Sequence, residues 1–546
     1  MQLIINLRKI QYFSVKKLIN LFNYKFYKKK YFFYVLKGYK HLKNIKKVDI
    51  TERIKNDLFL LETIKVSRSD EILLCNKKTN LRKIINQFLN YKLMNYKYFN
   101  FRELIFFSFG CNSRLIFPMP SNWFPVFEKE DIRVNKIISL LLFYLICFYE
   151  VFKGISFAIG RLKNVFLESD LFLNEKNVFF MNLKKRSLPS LQSEDNADII
   201  NWYIDNFKKK DNPTNIYYDT NKLNNKKNYK FFYKGLNLQR KNFYDFKISY
   251  TQYFKYLFKI LIILIKGLFN LLLNNNWNKI LLFKELSIKK FFELNIDYSS
   301  NKYFFSMTSQ SYKPLYTYEI EKKGGEVYIY YFSTNIFNFD KVQTLNLNNF
   351  TWKNIFFISK TLELEFLKNN KDLNVTTFDS INYFDKFYKI PVINKSLALF
   401  DMPAYRDYFY IKNYIIGFQS NFYSEKLIIE YLKDVTDICY KLGITILYKS
   451  KHHPEFWSSK YFRREFNKIS NNPLFIKIPP DVAPIRIIKK TKITISMPNS
   501  TTSVICKNLK KKSFFYSKQD PLIKYDFNIE SINNKDLLYK KIKELF

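Results

Sequence analysis

The segment ITISMPNSTTS, Ile493 to Ser503, reads as a buried strand (Ile493, Ile495, Met497) that breaks at Pro498. A hydroxyl-rich turn (Ser500, Thr501, Thr502, Ser503) then opens onto an apolar helix carrying Val504, Ile505, Cys506 and Leu509. A helix start presents unpaired N–H groups and the positive end of the helix dipole. Hydroxyls there add donors for anionic oxygens, so the turn suits a phosphate. The plain alternative is a Ser/Thr cap on an ordinary helix.

Working outward, short apolar runs alternate with helical patterns over the last 250 or so residues. VYIYY (Val327 to Tyr331), preceded by Gly324-Gly325, reads as a strand, and so do Ile355 to Ser359, Leu397 to Phe400 and Tyr414 to Phe418. Ser424 caps a helix whose apolar face carries Leu427, Tyr431, Val435 and Ile438, and Gly443 ends it. Strand Ile444 to Tyr448, a helix near Phe456 to Ile469, strand Leu474 to Ile478 and a short helix at Pro484, with Asp481 as its cap, follow. Strand Phe514 to Tyr516 and a closing helix, Lys535 to Leu545, come after the hydroxyl turn. This alternation predicts an open, mostly parallel α/β sheet, in which ligands bind at the carboxyl ends of the strands.

The chain has 546 residues, enough for two or three domains. Its net charge is +44, from 91 basic and 47 acidic residues, a balance that attracts polyanions. Phe (58) and Tyr (42) are abundant while Gly (10) and Pro (15) are scarce, the signature of an AT-rich coding sequence, so part of the charge is compositional. The basic residues are dispersed, and the aromatics lie in apolar periodic runs. Both features argue against an RNA-binding surface and leave a basic RNA-associated protein as the rival reading. Cys75, Cys111, Cys147, Cys439 and Cys506 stand singly and read as reduced core residues. Three histidines, His41, His452 and His453, are too few for a His-rich metal site. The basic amino terminus lacks the apolar core and small-residue cleavage site of a signal peptide.

Two segments bear on membranes. Ile137 to Tyr149 is apolar, shorter than the ~20 residues that span a bilayer, and reads as a buried core helix. Phe254 to Leu273, FKYLFKILIILIKGLFNLLL, carries Lys255, Lys259 and Lys266 along one edge of an otherwise apolar helix. It suits either a core helix with one wet edge or a helix lying on an anionic membrane surface. Leu183 to Lys230, rich in Asn, Lys and Asp, reads as a polar insertion with one short helix near Ile199 to Phe207.

The strand ITILY runs into Lys449-Ser450-Lys451-His452-His453-Pro454, which places two lysines and two histidines at a carboxyl-end loop of the same sheet as the hydroxyl turn. Lysine supplies charge for phosphate and a histidine N–H can donate to its oxygens. Asp401 and Arg406 follow another strand. Asp401 could bind a hydroxyl and Arg406 a phosphate or carboxylate, with structural capping the equal alternative. Glu319 and Glu321 lie on a helix leading into VYIYY; a carboxylate facing a cleft could act as general base, although an exposed helical Glu is the commoner case.

PLYTYEIEKKGGEVYIYYFSTN (Pro314 to Asn335), ALFDMPAYR (Ala398 to Arg406), ISMPNSTTSVICKNLKKKSFFY (Ile495 to Tyr516) and FPMPSNW (Phe117 to Trp123) resemble the bacterial polysaccharide-biosynthesis proteins named for a Pro-Phe-Thr-Ser motif. At the signature itself Pro498 matches, Asn499 replaces Phe, and Ser500 and Thr501 stand where Thr and Ser are expected. The Lys449 to Pro454 loop is similar to the His-Pro loop of capsule transferases that use CMP-sugars. The resemblance implies an α/β, GT-B-like fold of two Rossmann-like domains with a helical and polar insertion in the amino-terminal half. The expected division is an unassigned region 1–110, an acceptor-side domain 111–395 and a nucleotide-sugar domain 396–546.

The resemblance further implies a surface-polysaccharide glycosyltransferase, and the expected setting is cytoplasmic, with helix Phe254 to Leu273 touching the inner membrane face. Its expected partners are a nucleotide-sugar donor and a glycan or glycolipid acceptor, with contact to an anionic membrane and no nucleic acid. Ser500, Thr501 and Thr502, after Pro498, are expected to hold the donor phosphate, with Arg406 nearby. Lys449, Lys451 and His453 would neutralise leaving-group charge without a metal, and Glu319 and Asp401 are the carboxylates available for catalysis. No cofactor beyond the donor substrate is expected. A non-catalytic assembly scaffold on the same fold is the third reading.

Overall fold

The computed structural model describes residues 31–64, 101–167, 177–183, 188–189, 198–220, 230–294, 301–306, 312–331, 351–368, 374–377, 388–404, 424–451, 458–519 and 527–546, with a few single positions omitted inside these stretches, together with Ile84 and Phe88. The amino-terminal part is helical: α1 (Tyr31–Asn44), α2 (Ile50–Ile64), α3 (Phe101–Cys111), α4 (Phe124–Glu128) and α5 (Lys136–Gly160). α1 crosses α3 at two glycines. A Cβ on Gly38 or Gly110 would fall 1.8 Å from the carbonyl oxygen of Phe106 or Tyr34, so the two backbones touch there. α2 is tied down by Glu62, which accepts from Trp123 Nε1 (2.8 Å) and Asn122 Nδ2 (2.9 Å).

The first α/β unit runs through β1 (Asn177–Leu183), α6 (Ile199–Asp211), β2 (Asn215–Thr220), β3 (Lys230–Tyr233), β4 (Leu236–Arg240), α7 (Tyr250–Asn274), α8 (Asn278–Leu281) and α9 (Phe283–Glu293). It continues with β5 (Lys302–Ser306), α10 (Leu315–Lys322), β6 (Glu326–Tyr331), β7 (Asn354–Phe357), α11 (Lys360–Leu367) and β8 (Asn374–Thr377). The sheet order is β3-β4-β2-β1-β5-β6-β7-β8, parallel except for β3 against β4. The abundant aromatics pack it: Phe180, Phe304, Tyr328 and Phe356 stack ring on ring across four strands, with centroids 5.0 to 5.3 Å apart. Within the polar stretch 183–230, residues 199–211 and 215–220 are integral to this layer. Ile199, Ile200, Tyr203, Ile216, Tyr217 and Tyr218 are buried between their polar neighbours.

The second unit contains β9 (Ser396–Phe400), α12 (Glu425–Lys441), β10 (Thr445–Lys449), α13 (Lys460–Ser470), β11 (Phe475–Ile478), α14 (Pro484–Lys490), β12 (Ile493–Ser496), α15 (Thr501–Asn508), β13 (Lys512–Tyr516), β14 (Glu530–Ile532) and α16 (Lys535–Leu545). Its order, β11-β10-β9-β12-β13-β14, is all parallel. Counted within the unit this is 3-2-1-4-5-6, the doubly wound Rossmann order, whose direction reverses between β9 and β12. Alternate residues serve two cores. Leu397, Leu399, Ile446, Tyr448, Ile493, Ile495 and Tyr516 pack with α12, α13 and α16 on one face. Ala398, Phe400, Leu447 and Phe515 join a core that continues through α14 and α15 into the first unit. Asn508 Nδ2 donates to Ile358 O (2.8 Å) and an Arg486 guanidinium N–H to Tyr388 O (2.8 Å) across this junction.

Two expectations change in detail. Asp481 does not cap α14; Ala483 precedes it, with Pro484 in the first turn. The run at Ile137 belongs to the longer α5, and only its inner face is core. Ser139, Leu142, Phe143, Ile146 and Cys147 are buried, whereas Ile137 is 83% and Phe148 71% exposed. The strand expected at Tyr414 to Phe418 lies outside the described residues.

Candidate functional site

Three adjacent strands, β10, β9 and β12, end together. Lys449 is in register with Phe400, and Phe400 with Ser496. Asp401, Ser450-Lys451 and Met497-Pro498 therefore emerge side by side from the carboxyl edge of the sheet, at the reversal of strand order where ligands enter folds of this kind. The two segments singled out by sequence, the lysine loop and the hydroxyl turn, leave the same edge.

Asp401 organises that edge. Its Oδ1 accepts from the Lys451 backbone N–H (2.7 Å) and its Oδ2 from the Tyr448 hydroxyl (2.5 Å). Burial pushes the Asp401 carboxyl up to about 6, and the hydrogen bonds and the two lysines oppose that only in part. Burial likewise brings the ammonium groups of Lys449 and Lys451 down to about 8, against the attraction of Asp401. Among the described residues, Lys449 Nζ reaches Ser450 O at 3.5 Å and Lys451 Nζ approaches Met402 Sδ at 3.9 Å. Two desolvated cations with weak neutral contacts thus sit beside the Asp401 carboxylate, with Asp481 also attracting Lys449, an arrangement that an incoming dianion would satisfy.

In the hydroxyl turn, Ser500 is the cap of α15. Its Oγ accepts from Thr502 N (3.4 Å) and lies 2.8 Å from Thr502 Oγ1. Thr501 and Thr502 are half-buried at the turn surface. Ser503 faces inward, 2.6 Å from Ser496 Oγ and within 3.5 Å of Phe514 O, so it is framework. Asn499 has φ 60 and is buried, a left-handed conformation that Asn tolerates far better than Phe. The departure from the family signature at Asn499 thus coincides with a backbone twist that bends the chain from Pro498 into the helix.

The remaining predicted residues separate from this cluster. Glu319 is on α10 in the first unit, buried, with Oε1 3.2 Å from Lys289 Nζ on α9. It is therefore neither an exposed helical Glu nor part of the β9–β10–β12 edge. Its neighbour Glu321 pairs with the fully buried Lys313 (2.6 Å). Arg406 and His453 lie outside the described residues. Sequence reading missed two tyrosines. Tyr448 holds Asp401, and Tyr431 of α12 donates to Phe400 O (2.9 Å) and Ile495 O (3.2 Å), clamping the ends of β9 and β12. Tyr448 was visible as the last apolar residue before Lys449. Tyr431 reads only as one more residue on an apolar helix face. Among the described residues, no group of three or more His, Cys, Asp or Glu side chains is placed to hold a metal ion.

Solved structures similar to this chain include a trehalose-6-phosphate synthase from E. coli bound with UDP-2-fluoro glucose (9% identity, TM-score 0.34, covering 68% of this chain and 91% of that one). An α,α-trehalose-phosphate synthase (UDP-forming) from Burkholderia vietnamiensis gives 6% identity and TM-score 0.35, covering 68% and 90%. S. aureus TarM, solved with UDP and glycan ligands, gives 10% and 0.29, covering 48% and 52%. No curated protein sequence matches the chain. The model of the family described as polysaccharide biosynthesis PFTS motif protein matches residues 256–534, more than half of the sequence and the whole of the edge built by Asp401, Lys449, Lys451 and the Ser500 turn. The chain belongs to the polysaccharide-biosynthesis family of PFTS motif proteins.

Proposed function

We propose that this protein is a glycosyltransferase of surface-polysaccharide (capsule or O-antigen) assembly, and that the β9–β12 crevice binds its nucleotide-sugar donor. The observation that carries the reading is the pair of desolvated lysines, Lys449 and Lys451, at the strand-order reversal of a Rossmann sheet, on the same edge as the Ser500 helix start. In the transfer, the bond from the anomeric carbon to a donor phosphate oxygen breaks while an acceptor hydroxyl oxygen bonds that carbon and its proton passes to the departing phosphate oxygen or to water. The nucleotide leaves with the extra negative charge. Lys449 and Lys451 would stabilise that charge, as fixed cations do in a preformed site, and the Ser500, Thr501 and Thr502 turn would hold the phosphate oxygens. Asp401 is best read as a positioning residue, since both its oxygens are engaged in holding Tyr448 and the Lys451 backbone. The first unit would take the glycan or glycolipid acceptor. A cytosolic nucleotide-sugar, of which a CMP-sugar is the first to try, and a peripheral position on the inner membrane face complete the reading.

The test is a thermal-stability screen with CMP, UDP and GDP ligands. A ligand at a hundred times its Kd stabilises by about 2.7 kcal/mol. One nucleotide class is expected to raise the melting temperature, and Ser500→Ala with Thr501→Ala to weaken its affinity at least tenfold. Lack of response to every nucleotide removes the donor-site assignment. Nucleotide release that depends on the sugar donor separates an enzyme from a non-catalytic scaffold on the same fold.

A further inference from the structure

Among the described residues α5 and α7 are the two longest helices, 25 residues each, and both lie on the same α8–α9 layer. Phe143 of α5 meets Trp277 ahead of α8 (5.4 Å), and Gly154 sits so close to Phe283 of α9 that a Cβ would come within 2.5 Å of its ring. On α7, Tyr256 donates to Ser287 O (3.2 Å), and Gly267 lies over Ile280. The helices run in opposite senses along that layer, and Tyr253 at the start of α7 reaches Ala158 near the end of α5 (3.4 Å). The side of each helix turned away from the layer is apolar and bare. On α7, Phe254, Phe258, Ile265 and Leu272 recur four or seven positions apart, with Leu272 80% exposed. On α5, Ile137, Leu141, Phe148 and Phe152 do the same. The two stripes meet where the exposed rings of Phe166 and Tyr250 touch (5.9 Å).

Charge says what covers this face. α7 contains no acidic residue, and its lysines Lys255, Lys259 and Lys266 line the border between the bare stripe and the packed side. On α5 the one acidic residue, Glu150, is buried and paired with Lys153 (3.4 Å). A second copy of the chain seated on this face would bring lysine rows together; a layer of anionic headgroups above hydrocarbon would complement both the rows and the stripes. α5 is long and apolar enough to cross a bilayer. Its inner face, however, is committed to the fold through Phe143, Gly154 and Glu150, and crossing would strip Trp277 and Phe283 of their cover.

We propose that α5 and α7 together form a two-helix platform that seats the protein in the headgroup–acyl boundary of an anionic membrane, with α5 lying in the plane. This sharpens the membrane contact of the functional reading by naming its surface and posture. It is tested without nucleotide, so its failure leaves the donor site standing. The full-length protein is sedimented with phosphatidylcholine vesicles with and without phosphatidylglycerol. Wild type is expected to bind the anionic vesicles and to be released by alkaline carbonate. Lys255→Gln with Lys266→Gln, two exposed changes that leave the fold intact, are expected to lower anionic partitioning about 25-fold, at about 1 kcal/mol or fivefold per lysine. Phe258→Glu with Ile265→Glu on α7, and Phe148→Glu with Phe152→Glu on α5, checked for native circular dichroism, are each expected to lower it at least tenfold. Partitioning that ignores the lysine pair, or either apolar pair, overturns the platform. Resistance to carbonate overturns the in-plane posture. Dimers in light scattering that these same changes dissolve, without vesicle binding by wild type, would assign the face to a second copy instead.

Discussion

Replacing Lys449 with methionine is expected to make the unliganded protein more stable while removing donor binding. Lys449 ends β10 at 5% exposure, and burial brings its ammonium from the ordinary 10.5 to about 8. At about 1.4 kcal/mol per pH unit, holding that charge at neutral pH costs the fold about 3 kcal/mol. The sign follows from a depressed lysine. Below about 8 both folded and unfolded chains carry the proton, and the folded one bears the full penalty. Between about 8 and 10.5 the folded lysine is already neutral while the unfolded one is not, so the penalty fades as pH rises. Methionine keeps the length and bulk of the stem without the charge. In urea denaturation K449M is therefore expected to exceed wild type by about 3 kcal/mol at pH 7, with the gap closing toward pH 10.5, and to lose the stabilisation that nucleotide gives wild type. A variant less stable at pH 7, or a gap that does not change with pH, refutes the claim that this lysine is held at a cost for an anion.

The same chemistry predicts proton uptake. A phosphate dianion placed beside Lys449 and Lys451 raises both ammonium groups from about 8 back toward their ordinary value. Nucleotide binding at pH 8.5, followed by calorimetry in buffers of different ionisation enthalpy, is thus expected to take up protons, and uptake of none counts against direct contact. Tyr448→Phe removes one of the two hydrogen bonds on Asp401 (2.5 Å) and is expected to push that carboxyl above its present value of about 6. A raised carboxyl contributes its stability when protonated and loses it as pH rises through the folded value. The tyrosine loss is therefore expected to be small near pH 4.5, to grow as pH rises past about 6, and to reach about 1.5–3 kcal/mol, the worth of a bond to a charged group, only at about pH 8, above the variant's own raised carboxyl value. Equal destabilisation at both pH values would show that the hydroxyl serves packing alone.

The second unit is largely legible in sequence because its signals are local. Ser424 caps α12 through Leu427 N, Gly443 closes it with φ 62, and five-residue apolar runs flank these marks. The first unit hides its strands. NIYYDT, KFFY and LNLQR are short and polar-flanked, and their strand identity rests on pairing with one another and with β1, whose Phe179 packs on Tyr217 of NIYYDT. Periodicity places Lys449, Asp401 and Ser500 at strand ends, but not beside one another. Their adjacency depends on the sheet order β10-β9-β12, and the clamp of Tyr431 on two strand ends depends on it too. Glu319 illustrates the converse: its role is decided by Lys289, thirty residues earlier, which no spacing announces.

Composition misleads in an instructive way. A net charge of +44 invites an argument from the whole surface, yet a lysine that stands in water costs nothing to hold. Lys449 and Lys451 differ because the fold dehydrates them, gives them one shared carboxylate and leaves their ammonium groups on contacts of 3.5 and 3.9 Å. Coding bias can scatter lysine over a surface, but it does not keep a desolvated pair at the strand-order reversal of a Rossmann sheet against a penalty of several kcal/mol. The free energy withheld from stability at that edge is available for an anion, and the proposed phosphate site rests on the position of these two cations, not on the abundance of the other basic residues.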